Sequence, residues 1–98
     1  MTTNITNEND VYTIAIEGRI DTITAPELEN TFNGIEPQAN KVIFDMSGVE
    51  YISSAGMRVI VYVHRKMASK GGFTLRGLTE NVSTIINLTG FNKVLDIE

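Results

Sequence analysis

The run Lys41-Val42-Ile43-Phe44-Asp45-Met46 constrains the fold more than any other stretch of this chain. It is short, almost continuously apolar, and bounded by Pro37-Gln38-Ala39-Asn40 on one side and Ser47-Gly48 on the other. Such a run suits a strand covered on both faces, as in a parallel sheet. Parallel neighbours require crossover connections, so helices should flank it in sequence. They do. Upstream, Thr24-Ala25-Pro26-Glu27 reads as a capping box, with Thr24 accepting at Glu27 and Glu27 returning the bond. Leu28, Phe32 and Ile35 continue at helical spacing and Gly34 supplies a stop, predicting a helix over about 24–34.

Downstream, Met57 to Lys70 contains Val59-Ile60-Val61-Tyr62-Val63, which propensity alone would assign to a strand. Its length, the serines before it and the Lys70-Gly71-Gly72 stop favour a helix instead, with Val59, Ile60, Val63 and Met67 on the apolar face. Gly71-Gly72 reads as a helix cap, since neither phosphate-loop glycine pattern is present. Val11–Gly18 alternates at period two, as does Phe73–Gly77, and both read as strands. Thr79 caps a helix through Asn87 with Val82, Ile85, Ile86 and Leu88 inward, closed by Gly90, and Val94–Ile97 is a last strand. Residues 1–10 are polar, either frayed or a short edge strand around Asn4-Ile5-Thr6. The order β-α-β-α-β-α-β implies an α/β fold: one domain over residues 1–98 with a mainly parallel sheet of four to five strands and alternating helices.

Composition narrows the function. Ninety-eight residues make one domain, and the absence of cysteine removes disulfides, thiolate metal sites and thiol nucleophiles. Twelve acidic residues against eight basic give a net charge of −4, which opposes nucleic-acid binding. No apolar run approaches the ~20 residues of a membrane span, and Met1–Asp10 has no secretory pattern. Two glycosylation sequons, at Asn4 and Asn87, are therefore without meaning in a cytoplasmic protein. His64 is the only histidine and sits mid-helix, Ser54 is not in a nucleophile elbow, and Asp21, Asp45, Glu17 and Glu50 lack metal-ligand spacing. No catalytic residue, metal or cofactor is expected.

One segment stands apart. Ser53-Ser54-Ala55-Gly56 joins a strand to a helix start, where unpaired N–H groups and the dipole favour an anion. The plain reading is a serine cap; the sharper one is a phosphoacceptor, whose phosphate of about −1.5 to −2 charges the helix dipole tolerates and Arg58 partly balances.

Taken together, Ile16-Glu17-Gly18-Arg19-Ile20-Asp21, Thr24-Ala25-Pro26-Glu27-Leu28, Val42–Val49, Tyr51–Arg58, Gly71–Leu75 and Ile86–Phe91 make the whole chain resemble the sulfate transporter and anti-sigma antagonist (STAS) domain, particularly the bacterial anti-sigma factor antagonists. The resemblance implies a STAS-like fold and a non-enzymatic partner switch. The unphosphorylated protein would bind an anti-sigma factor that is also a serine kinase of the histidine-kinase-like ATPase fold, freeing the sigma factor. Phosphorylation would release it and a PP2C-type serine phosphatase would reset it. Against the family's Asp-Ser-Ser/Thr-Gly motif, aligning glycine on Gly56 puts the acceptor at Ser54, with Ser53 in place of the aspartate and Ala55 in place of the second hydroxyl. Ser53 stays as the rival acceptor. Asp21 falls where the family has an acidic residue near the phosphosite, and Asp21, Thr24, Ser53, Ser54, Gly56, Met57 and Arg58 form the expected partner face. Two alternatives stand beside this: a STAS module of a transporter complex or signalling scaffold whose serine is only a cap, and a small enzyme using Ser54 as nucleophile.

Overall fold

The computed structural model describes residues 1–98. The chain begins with a hairpin, β1 (Thr2–Glu8) antiparallel to β2 (Val11–Ile20). Its two-residue loop, Asn9-Asp10, has both residues at positive φ, 54° and 66°. That is the twist-compatible hairpin turn that Asn and Asp tolerate best. The expected edge strand therefore exists and is longer than Asn4-Ile5-Thr6. Three crossovers follow through α1 (Ala25–Ile35), β3 (Lys41–Ile52), α2 (Ser54–Met67), β4 (Phe73–Arg76), α3 (Glu80–Thr89) and β5 (Asp96–Ile97). The five-stranded sheet has the order β1-β2-β3-β4-β5, parallel from β2 onward. The α/β class, the mainly parallel sheet and the alternating helices are as expected.

Strand order settles where the helices go. Each parallel strand adds on the same side of its predecessor, and right-handed crossovers made in one direction all fall on one face of the sheet. Ile14, Ile16, Val42, Phe44, Met46, Phe73 and Leu75 point to that face and are buried with Leu28 and Phe32 of α1, Ile60 and Val63 of α2, and Val82 and Ile86 of α3. Phe44 and Phe73 meet edge to face at 4.8 Å. The other face carries mainly polar side chains, among them Asn4, Thr6, Thr13 and Arg76, and is open to solvent. The β3 run is thus helix-covered on one face only. Ile43, on the open side, is hidden by its neighbours to 8% exposure.

Other boundaries move for local reasons. β3 does not stop at Ser47-Gly48 but runs on to Ile52, because two register irregularities let it bulge against β2 and keep pairing. Gly34 lies inside the last turn of α1, which ends before Pro37. The cap expected from Thr24 is not made: its backbone is already helical and its hydroxyl turns back to donate to the Arg19 carbonyl at 2.8 Å. Glu27 is exposed and returns no bond. α3 is capped by Thr79 and closed by left-handed Gly90, as expected, but Leu88 faces outward at 83% exposure. Of the expected final strand Val94–Ile97 only Asp96–Ile97 pairs; Val94 and Leu95 form the turn that follows a 3₁₀ helix at Phe91–Lys93.

Candidate functional site at the start of the second helix

The site is built by the last rung of the β2–β3 ladder. Ile20 pairs with Ile52, and the Ser53 amide donates to the Ile20 carbonyl at 2.8 Å. The loop leaving β2 and the helix leaving β3 are therefore neighbours, at the carboxyl ends of parallel strands where open α/β sheets present their sites. Gly56 permits the close seat. A Cβ there would lie 2.6 Å from Ile52 Cγ1, 2.7 Å from Ile20 Cγ2 and 3.1 Å from the Ile20 carbonyl oxygen.

The two serines have different jobs. Ser53 is extended, with φ −90° and ψ 176°, and its Oγ accepts from the Gly56 amide at 3.3 Å, so it is the cap of α2. Ser54 is the first helical residue, is exposed, and its hydroxyl has no partner within the protein. Beside it the first amides of α2 lack backbone acceptors, as every helix start must. Arg58, one turn on, is exposed and forms no ion pair.

Asp21 organises the facing loop. Its Oδ1 accepts from the Ile23 and Thr24 amides, each at 3.0 Å, and its carbonyl accepts from Ala25 at 2.8 Å. Its own amide donates to Thr24 Oγ1 at 2.9 Å. Asp21 thus does for α1 what Thr24 was expected to do, one turn earlier. The bond from the Thr24 amide, more than any other influence, holds the Asp21 carboxyl below its ordinary range; the Ile23 amide, the Thr24 hydroxyl and the charge of Arg19 act in the same direction. The rim of the site is accordingly anionic at neutral pH.

Asp21, Thr24, Ser53, Ser54 and Arg58 are thus gathered at one end of the sheet. Gly56 and Met57 lie there too, but Gly56 is buried and Met57 is 4% exposed, so they shape the surface from beneath. The sequence pattern does not single out Ile23, which stands 79% exposed in the Asp21 loop. Its signal is slight: an isoleucine out of phase with the buried face of β2. Nor does it reveal Arg19 stacked over Tyr51 at 4.5 Å, a contact created by their register partnership across β2 and β3. His64 lies ten residues beyond Ser54 on the same helix, about 15 Å along its axis. It is not beside the serine.

An α/β domain with a one-sided helical layer and an exposed serine opening its second helix is the class these observations define. The STAS domain family model matches residues 2–98, and the chain belongs to that family. It is 29% identical over 92 residues to an anti-sigma-B factor antagonist of Bacillus subtilis, covering 93% of this chain and 84% of that protein. It is 26% identical over 94 residues to an anti-sigma-F factor antagonist of Mycobacterium tuberculosis, covering 95% of this chain and 77% of the relative. The crystal structure of an anti-sigma factor antagonist from Mycobacterium paratuberculosis superposes with a TM-score of 0.90 at 26% identity, over 98% of this chain and 83% of the other. No helix is long and apolar enough to cross a membrane.

Proposed function

We propose that this protein is an anti-sigma factor antagonist acting in the cytoplasm, switched off by phosphorylation of Ser54. The observation that carries the reading is the division of labour between the serines. Ser53 Oγ is occupied as the helix cap, whereas Ser54 Oγ is exposed and unbonded. Ser54 is therefore the accessible nucleophile of the pair, and modifying it leaves the cap intact. The names of the relatives support the wider role. The unphosphorylated face, made by the Asp21–Thr24 loop and the Ser53–Arg58 helix start, docks on an anti-sigma factor that is also a serine kinase of the histidine-kinase-like ATPase fold. A phosphate of about −1.5 to −2 charges then appears inside that interface, beside the Asp21 carboxylate, and the complex separates. A PP2C-type serine phosphatase restores binding. The transporter or scaffold alternative, in which the serine serves only as a cap, is less well supported because Ser53 already fills that role.

The test is incubation with the cognate kinase and ATP, followed by phosphosite mapping by mass spectrometry and measurement of binding. Phosphate on Ser54 alone, constitutive binding by Ser54→Ala and weakened binding by Ser54→Asp are expected. Phosphate on Ser53, or unchanged affinity in both variants, would refute the switch.

A further inference from the structure

We propose that the groove between α2 and α3 binds a single-chain amphiphilic carboxylate, a free fatty acid of medium length. One end of the groove is the Ser53–Arg58 helix start of the proposed partner face, but binding to the unmodified chain requires neither a kinase nor a phosphate on Ser54. The groove encloses about 630 Å³, with Met57 and Val61 on the α2 side and Ile85, Leu88 and Phe91 opposite. Small-molecule clefts commonly have such volumes and apolar walls. Leu88 and Phe91 are 83% and 37% exposed, so the groove offers apolar surface that the fold has not covered.

Its charge is the reverse of the molecule's. The chain carries twelve acidic residues against eight basic. Yet the only charged residues lining the groove are Arg58 and Arg65, and neither is ion-paired. They lie seven residues apart on α2, two turns and about 10 Å along one side. A guanidinium accepts a carboxylate through paired hydrogen bonds, and the apolar wall lies alongside.

The remaining polar atoms favour a hydrocarbon over a peptide. Thr89 Oγ1 donates to the Ile86 carbonyl at 2.6 Å and accepts from the Phe91 amide at 3.1 Å, and Ser53 Oγ caps α2, which leaves only the Ser54 and Tyr51 hydroxyls of the lining without a partner in the protein. A polypeptide laid here would bring an amide at every residue and find few partners, at a desolvation cost. A polymethylene chain has none to satisfy. Its carboxylate takes an arginine, and its tail lies along Val61, Ile85, Leu88 and Phe91.

The experiment is a heteronuclear NMR titration of the full chain with octanoate, decanoate and dodecanoate as monomers, compared with a trimethylammonium amphiphile of ten carbons. Saturable shifts confined to α2 and α3 are expected, with affinity rising roughly three- to tenfold for each added pair of methylenes. Binding should fall roughly tenfold in Arg58→Gln/Arg65→Gln, as for loss of a charged hydrogen-bonded pair, and comparably in Leu88→Asp. All three residues are exposed, and Leu88→Asp tests the groove without touching the arginines. Equal binding of the cationic amphiphile, shifts spread over the sheet, or unchanged affinity in these variants would overturn the proposal. So would absence of monomer binding, including the cases where the protein instead sediments with anionic vesicles or self-associates through this groove.

Discussion

Replacing Gly56 by alanine puts the geometry of the site to a direct test. In an unconstrained helix interior the change would stabilise by about 0.8–1.0 kcal/mol, because glycine forfeits backbone entropy. Near the helix start the benefit should be smaller. Here the new methyl meets Ile52 Cγ1 at 2.6 Å and Ile20 Cγ2 at 2.7 Å. Those isoleucines are 1% and 0% exposed and belong to the paired ends of β2 and β3, so neither has free space to retreat. Overpacking of this kind costs about 1–3 kcal/mol, and the net expectation is a loss of about 1–2 kcal/mol after the propensity gain. For a domain of this size each kcal/mol shifts Tm by roughly 4–8 °C. Gly34→Ala is the matched control: it is also helical, but nothing lies within 4 Å of the added carbon. It should stabilise by up to about 1 kcal/mol. Urea and thermal unfolding of both variants measure the contrast. If Gly56→Ala is as stable as the parent, the close seat of α2 on Ile20 and Ile52 is wrong.

Three further outcomes are expected. Ser53→Ala should lose about 1 kcal/mol by removing the α2 cap, while Ser54→Ala should stay within about 0.5 kcal/mol of the parent in denaturant unfolding; the reverse order would exchange their roles. Folding lowers the Asp21 carboxyl below its ordinary value of 3.8, so its stabilisation is full above that pH and fades as pH falls through the lowered value. Asp21→Ala should therefore be less stable than the parent at pH 7 and approach it in strong acid, as followed by urea unfolding across pH; Asp45, lowered first by the Ser47 amide, retains its own acid dependence in both proteins. Thr79→Ala should cost about 1 kcal/mol or more in the same assay, because its hydroxyl both caps α3 and donates to the Val49 carbonyl at 3.0 Å.

The sequence pattern carries the element order because burial imposes a period wherever one side of an element meets the core. Val59-Ile60-Val61-Tyr62-Val63 shows pattern and context outweighing propensity: despite its β-branched run it is helical, and Val59, Ile60 and Val63 are buried. Features decided by tertiary register are hidden from a linear reading. Thr24 carries a fine capping signature, yet Asp21 supplies the turn because the chain becomes helical earlier. Ser47-Gly48 resembles a strand end until the bulges against β2 absorb it. Leu88 fits the helical period but projects beyond the covered edge of the core. At the site, Arg58 can be placed beside Ser54 from helical spacing and Asp21 only through the family resemblance, whereas the Arg19–Tyr51 stack and the α2–α3 groove arise only when separated segments meet.

The Ile20–Ile52 rung has one more consequence. An entire crossover unit separates these residues in sequence, so the Asp21 loop and the Ser54 hydroxyl become neighbours only after that loop of chain has closed. A synthetic peptide spanning Ser53–Arg58 would carry the hydroxyl and the arginine but none of the facing surface. A nascent chain that has not yet paired β3 with β2 is in the same position. Anything that must touch both segments at once therefore reads completion of the fold along with the identity of the serine, and proofreads maturation at no extra step.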